Sequence, residues 1–378
     1  MNTDESMSSD EPTSTVQDTA VSSSPAARGE TARAVDGEPP ILRVEGLTKY
    51  FQVGGGLRPK QLRALNDVSF TLRRGEVISL VGESGSGKST VLKMLSRLEQ
   101  PTSGRILFKG RDLLAEEPRS ASLSYRGQVQ MIFQDPFGSL NPVHTVAYHL
   151  ERPLVRHRKA TTPEELRRKV LELLHTVGLN PPEEFAAKHP HQMSGGQRQR
   201  VAIARALAVD PDVILADEPI SMLDVSIRMG VLNLMDELKR SRGIGYLYVT
   251  HDIASARYIG DRTIVMYAGH MVEGGSSEEL LDSPAHPYTK LLLEAVPDPR
   301  GNIFRELPAK SGAPQLVDPP PGCPFAPRCP EVMDVCRRES PRPVQLRRRD
   351  PGAPERFVRC HLYEEDQAPP VGEALGEA

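Results

Sequence analysis

No stretch of this sequence approaches the roughly 18 consecutive apolar residues of a membrane-spanning helix, which excludes one. The opening residues carry no apolar secretory core, so the chain is expected to stay in the cytoplasm. No cysteine precedes Cys323, and all four thiols fall between positions 323 and 360. Thiol chemistry is thereby excluded from most of the chain, and the cluster at its end asks for a local explanation. A strong excess of positive charge is missing as well. The net charge is −3, and eight acidic against two basic residues in positions 1–38 leave the remainder at only +3. That balance does not indicate a nucleic-acid binder, which would present a strongly basic face.

The 378 residues suffice for one large α/β domain and a smaller appendage. Residues 1–38 are rich in Ser, Thr, Asp, Glu and Ala with almost no large apolar side chain, too little to offset the entropy of ordering, so a disordered tail is expected there. A second such tail is expected over 366–378. From Ile41 the pattern turns to alternating strands, Ile41-Leu42-Arg43-Val44 and Arg63 to Leu72, with Gly54-Gly55-Gly56 between them and Arg105-Ile106-Leu107-Phe108 as a further candidate. These predict an antiparallel layer.

Three other runs, Val129 to Phe133, Val213 to Ala216 and Tyr246 to Val249, are continuously apolar and separated by helical patterns. Such runs predict parallel strands covered on both faces. Ile227, Val231, Leu234, Met235 and Leu238 share one helical face between the last two. A helical insertion is expected over about 137–208. Within it, Thr162 as N-cap, Pro163 at the first helical position and Gly178 as the stop mark one helix. Thr263 to Tyr267 and His270 to Glu273, turned at Ala268-Gly269, read as a hairpin.

The chemistry centres on Gly82-Glu83-Ser84-Gly85-Ser86-Gly87-Lys88-Ser89-Thr90. It follows the apolar run Val77 to Val81 and precedes a helical pattern of Val91, Leu92, Met94, Leu95 and Leu98. Strand, glycine-rich loop and helix in that order form a phosphate-binding loop: the glycines let backbone N–H groups converge on phosphate oxygens, and the helix N-terminus adds positive potential. Lys88 is placed to reach the β- and γ-phosphates and Ser89 to ligate Mg²⁺, so a nucleoside triphosphate is the expected ligand. A small-molecule kinase would use the same loop.

Asp217-Glu218 ends the run from Val213, at the strand edge where ligands bind in open α/β sheets. Asp217 is placed to hold the Mg²⁺ shell, and Glu218 to orient an attacking water. Gln134 and His251 end two other core strands on the same edge. Either alone would read as a surface residue. Three neighbouring strands ending in groups fit for hydrolysis change that balance. Ser194-Gly195-Gly196-Gln197 opens another helix and so offers a second anion site, far from the loop at Gly82 within one chain and able to serve only a phosphate held by a partner. Taken alone, it is an N-cap.

These motifs together, with Met193 to Arg200, Val213 to Pro219 and Asp224, resemble the ATP-binding subunits of ABC transporters over about residues 41–300. The resemblance implies a phosphate-loop NTPase cassette with a RecA-like α/β core, an antiparallel layer and a helical subdomain. It implies ATP and Mg²⁺ as ligands, and two ATPs sandwiched head-to-tail between the loop of one subunit and the Ser194 helix of another. Glu218 would then be the general base or water-positioning residue and His251 the γ-phosphate sensor. Gln134 would link Mg²⁺ to the transmembrane partner. Many members stack adenine on an aromatic residue two positions after a lysine, here Phe51 after Lys49, with Tyr50 competing.

Phe133 to Pro142, Asp224 to Ile227 and His286-Pro287-Tyr288-Thr289 look like the oligopeptide and dipeptide importer branch, which includes oligosaccharide importers. Ile220-Ser221-Met222-Leu223-Asp224 departs from the family's usual Thr-Ser-Ala-Leu-Asp or Val-Ser-Ala-Leu-Asp. Asp224 is retained, so hydrolysis is not put in doubt, but the exchange argues against assuming a peptide solute.

Cys323, Cys329, Cys336 and Cys360 are separated by 5, 6 and 23 residues on a Pro- and Arg-rich segment, 301–365, with little apolar content. A metal staple is expected for an appendage without a core, with unligated cysteines as the alternative, and a cytoplasmic setting argues against disulfides. The spacing lacks the two-residue interval usual for structural zinc, the runner-up, whereas four-cysteine iron–sulfur sites accept varied spacing. The importer branch carries such an extension, and the resemblance implies a four-iron, four-sulfur cluster.

The expectation is thus an ATPase subunit, peripheral on the cytoplasmic face of the membrane. It would work with a second ATP-binding subunit, a paralogue, with two permease subunits and with an extracytoplasmic solute-binding protein. An exporter ATPase and a soluble ABC-type ATPase acting on nucleic acid or ribosomes are the alternatives. The second would carry two cassettes or a long inserted coiled coil, and the sequence has neither.

Overall fold

The alternating segments fold as antiparallel strands, β1 (Leu42–Val53) and β2 (Lys60–Leu72), both longer than the apolar alternation implies. The structure is a computed structural model describing residues 39–54, 60–295, 314–349 and 352–364. The expected tails, part of the glycine turn and the boundary near residue 300 lie outside those residues. After β3 (Val77–Val81) and α1 (Lys88–Leu95), the antiparallel layer is completed by β4 (Ser103–Phe108) and β5 (Arg111–Asp112), in the order β2-β1-β4-β5. Its apolar face is buried directly on the core: Leu42, Val68 and Ile106 share one cluster with Ile78 and Leu80 of β3. Helix α1 stops at Leu95, earlier than its periodicity predicts, and Leu98 beyond it is 64% exposed.

Two short helices, α2 (Leu113–Glu116) and α3 (Leu123–Gln128), lead to β6 (Val129–Ile132). The insertion follows as α4 (Pro136–Ser139), α5 (Val146–Arg156), α6 (Pro163–Thr176), α7 (Pro182–Ala187) and α8 (Gly195–Leu207). Helix α6 starts as its sequence dictates, with Thr162 Oγ1 accepting the Glu165 N–H at 3.2 Å, and it ends where Gly178 adopts φ +72°. Leu150, Val170, Leu174 and Val201 of the insertion pack in one cluster with Ile214, Tyr246 and Tyr248 of the sheet.

The chain then runs through β7 (Val213–Asp217), α9 (Val225–Arg242), β8 (Gly245–Thr250), α10 (Ile253–Ile259) and the hairpin β9 (Arg262–Tyr267) and β10 (His270–Ser276). Strands β9, β3, β8, β7 and β6 pair in parallel in that order. The fully buried strands β3 and β8 sit at its centre, which is why they read as unbroken apolar runs. Strand β6 is the edge and ends at Ile132, so Phe133, which completes its apolar run, is 42% exposed.

After α11 (Ser277–Asp282) and α12 (Pro287–Glu294), the cysteine-bearing segment contributes β11 (Pro343–Leu346) and β12 (Arg356–Arg359). Strand β12 pairs with β10, so the segment extends the central sheet to eight strands. Phe325 and Cys329 pack with Val81, Tyr267 and Tyr288, and this apolar contact gives the segment the core it lacks by itself.

Candidate functional site

Strand β3 delivers the glycine-rich loop into a tight space. A Cβ at Gly82 would come 2.3 Å from the Met266 carbonyl oxygen, and one at Gly87, where φ is +106°, 2.7 Å from that of Ala64. Glycine is therefore required at both positions to pass between β2 and β9. Ser84 and Gly85 are exposed at the tip, Ser86 is buried and Thr90 half-buried. Lys88 Nζ donates to the carbonyl oxygens of Gly82 at 2.7 Å and Glu83 at 2.8 Å. Burial lowers the Lys88 pKa, an effect opposed by the charges of Glu218, Asp217 and Glu83.

Ser89 Oγ donates to Asp217 Oδ1 at 3.1 Å, joining the loop to the end of β7. Burial raises the Asp217 carboxyl above its ordinary pKa, with the Ser89 hydrogen bond opposing the shift. The next residue, Glu218, takes φ +44°, an unusual backbone conformation for a side-chain-bearing residue, and its N–H donates to the Val249 carbonyl at 2.9 Å. Its carboxylate is met from both sides: Gln134 Nε2 donates to Oε2 at 3.1 Å, and His251 Nδ1 lies 3.1 Å from the same oxygen. Lys88, Ser89, Asp217, Glu218, Gln134 and His251 thus form one polar group at the C-terminal edge of the parallel strands. The set joins a loop able to cradle phosphate to a hydroxyl and a carboxylate able to hold a cation, and to a carboxylate able to orient water.

Other sequence-predicted residues fall elsewhere. Phe51 lies on β1 with Lys49 Nζ 4.6 Å from its ring centroid, and the Arg63 guanidinium faces Tyr50 at 5.6 Å. Ser194 caps α8: its Oγ accepts the Gln197 N–H at 3.3 Å, and its own N–H donates to Gln197 Oε1 at 3.0 Å. A Cβ at Gly196 would strike Ile227 Cγ2 at 2.4 Å, so close packing of α8 on α9 demands that glycine whatever else it does. Gly195 opens the helix beside it, and Asp224 is the exposed N-cap of α9. Among the described residues, no contact links Ser194, Gln197 or Asp224 to the Glu218 group.

Sequence alone gives Tyr288 and Arg328 no link to Glu83 or to the phosphate loop. The Glu83 N–H donates to the Tyr288 hydroxyl at 2.9 Å, and Arg328 donates to both Glu83 carboxylate oxygens at 2.8 Å. His286-Pro287-Tyr288-Thr289 was visible as a motif, but its contact with the phosphate loop was not.

Cys329, Cys336 and Cys360 are buried and Cys323 half-buried, with no disulfide among them. Burial pushes Cys323 up to about 12 and Cys360 to about 11, and the neighbouring thiols add to both shifts. The Cys323 N–H donates to the Cys336 carbonyl oxygen at 2.8 Å, which brings these two residues together. Among the described residues, however, no three His, Cys, Asp or Glu side chains are spaced to hold a metal ion. Neither the expected four-iron cluster nor zinc has a formed ligand set there.

Comparison with known proteins gives two family matches: ABC transporter over residues 65–221, and the C-terminal region of oligopeptide/dipeptide transporters over 272–336. The oligopeptide transport ATP-binding protein AppF of Bacillus subtilis (strain 168) is 44% identical over 329 residues, which cover 85% of this chain and 97% of AppF. The dipeptide transport ATP-binding protein DppF of Haemophilus influenzae is 44% identical over 305 residues, 80% of this chain and 92% of that protein. Among solved structures, the dimeric ATP-binding cassette MJ0796, in a post-hydrolysis state bound to ADP and Pi, matches with 33% identity and a TM-score of 0.54. The match covers 62% of this chain and 98% of that one. CbiO1 of Clostridium perfringens, part of the transporter complex cbiONQ, matches with 29% identity and a TM-score of 0.56, covering 65% and 92%.

Proposed function

This chain belongs to the ATP-binding subunits of ABC transporters, and on that premise we propose that it imports oligopeptides or dipeptides, working as half of a head-to-tail ATP sandwich. It hydrolyses ATP to drive substrate import. The observation that carries the mechanism is the convergence of Gln134 and His251 on Glu218 beside Lys88 and Asp217. In this reading the loop from Gly82 to Thr90 cradles the phosphates and Lys88 neutralises their charge, while Ser89, Asp217 and Gln134 would hold Mg²⁺, which would offset further phosphate charge. Glu218 positions or deprotonates the attacking water, with Gln134 and His251 fixing its carboxylate. Phe51 stacks on adenine. Ser194, Gly195, Gly196, Gln197 and Asp224 complete the site of the partner subunit.

The partners are permease subunits, an extracytoplasmic substrate-binding protein and a second ATP-binding subunit, which we take to be a paralogue. The place proposed for the chain is peripheral, on the cytoplasmic face of the membrane; no described helix is long and apolar enough to cross one. The peptide solute rests on AppF, DppF and the match of 272–336. Reconstitution of the complete transporter in vesicles tests it. Hydrolysis should rise when binding protein loaded with a di- or oligopeptide is added outside, with labelled peptide accumulating inside. Stimulation by oligosaccharide alone would refute the peptide reading.

A second reading concerns the cysteines. Cys323, Cys329, Cys336 and Cys360, four soft donors on one short segment, would hold an iron–sulfur cluster, or zinc, to staple the extension, with the metal itself drawing them into the ligand set that the described residues lack. Protein purified without oxygen should then contain iron and absorb visible light. Metal-free protein of unchanged stability would refute it.

A further inference from the structure

We propose that Arg328 and Tyr288, both outside the phosphate loop and its flanking strand and helix, are positioning residues for ATP: they hold Glu83 and thereby set the affinity of the loop for the nucleotide. The proposal rests on reading Gly82 to Thr90 as the ATP site.

Glu83 is held at two points. Its N–H is taken by Tyr288 and its carboxylate by both terminal nitrogens of Arg328, a bidentate pair that fixes direction as well as distance. Because Lys88 Nζ rests on the carbonyl oxygens of Gly82 and Glu83, whatever fixes Glu83 also fixes the seat of the phosphate-binding lysine. The holders are themselves immobilised. Tyr288 is fully buried, and its N–H donates to His286 Nδ1 at 3.0 Å at the start of α12. The Arg328 guanidinium lies 5.7 Å from the Tyr267 ring centroid and 6.0 Å from that of Phe325, and its side chain is only 17% exposed.

Charge adds a second effect. Glu83 places a carboxylate within a loop built to receive a triphosphate, and an unpaired carboxylate there would repel the ligand. Arg328 cancels it. The two roles predict an unusual order among variants. Arg328→Gln loses the clamp and exposes the charge, whereas Glu83→Gln loses the clamp but also the charge, so Glu83→Gln introduced into Arg328→Gln should restore affinity rather than lower it further.

The test is titration of the full chain with a fluorescent ATP analogue in Mg²⁺, together with KM and kcat in the assembled transporter and the unfolding temperature of each variant. Arg328→Gln should bind about tenfold more weakly. Glu83→Gln and the double variant should each lose about threefold, with KM rising in step in all three variants and the fall in the kcat of Arg328→Gln remaining smaller than its rise in KM. Arg328→Lys, which keeps the charge but not the fork, should lie between the parent and Arg328→Gln. It also replaces Arg328→Gln should that variant not fold. Parental affinity in folded Arg328→Gln or Arg328→Lys, or strictly additive losses in the double variant, would overturn the proposal and leave the contact a purely structural one. Failure of the unmodified chain to bind the analogue would instead overturn the reading of the loop.

Discussion

Gln134 and Glu218, 84 residues apart in the chain, meet through a 3.1 Å hydrogen bond from the amide to the carboxylate oxygen that also faces His251. One carboxylate is thus oriented by groups at the ends of two flanking strands, with its own backbone held by Val249. Glu218→Gln keeps the shape and removes the basic oxygen. ATP hydrolysis should fall by about a hundredfold or more, the range for losing a positioned base. Nucleotide affinity should change little, because the phosphate cradle is untouched. Steady-state hydrolysis and binding of a fluorescent analogue, measured on the same preparation, separate the two, and near-normal turnover would remove Glu218 from its role.

Ser194 and Gln197 satisfy one another at the start of α8, so within its own chain the turn from Ser194 to Gln197 acts as a cap. In the proposed sandwich its free face would close on the partner's nucleotide. Ser194→Arg should therefore abolish hydrolysis in the assembled transporter, while the variant chain still binds nucleotide at its own loop. The lost cap costs about 1 kcal/mol, which a thermal melt will register separately. Unchanged hydrolysis in the complex would sink the sandwich.

The loop, the paired acids and the strand-end Gln134 and His251 were legible because each lies where a short local pattern, an apolar strand followed by a polar turn, fixes its place. The same logic misplaced Leu98 and Phe133, whose apolar character fits the periodicity although α1 and β6 end before them. Helix and strand ends are set by capping and by the neighbours available, which periodicity does not contain. That the cysteine segment extends the central sheet was not legible. Its strands are short and sparse, and they become strands because β10 offers an edge to pair with. The Glu83–Arg328 pair spans 245 residues, and no local signal links its members.

Gly87 shows how a glycine can be required twice over. Its φ of +106° disfavours any side chain, and a Cβ would meet the Ala64 oxygen and Leu65 Cδ2, each at 2.7 Å. Gly87→Ala should push the loop off β2, abolish nucleotide binding and cost about 1–3 kcal/mol of stability. Gly85 makes the matched control: its φ is +80°, but nothing lies within 4 Å of a built Cβ. Gly85→Ala should cost about 1 kcal/mol from backbone strain alone. Denaturant unfolding of the two variants checks the difference, and equal losses would show that the contact with β2 is unimportant.

His286 ties stability to pH. Burial, with a smaller contribution from Lys290, lowers its pKa to about 4 from an ordinary 6.5, and its Nδ1 accepts the Tyr288 N–H at 3.0 Å. Its own N–H donates to the buried Glu273 carboxylate at 2.9 Å. A histidine with a depressed native pKa takes up its proton in the unfolded chain first. Its stabilising contribution is therefore complete above about pH 6.5 and is lost as the pH falls from there towards 4. At pH 5 the loss from this residue is about 2 kcal/mol. Denaturant unfolding at pH 7.5 and 5.0 should show it, and His286→Asn, which keeps a capping acceptor without titrating in this range, should lower stability less between the two pH values by about that amount. Because other groups titrate equally in both chains, the difference between the two slopes isolates His286. Identical slopes would show that its proton plays no part in acid destabilisation.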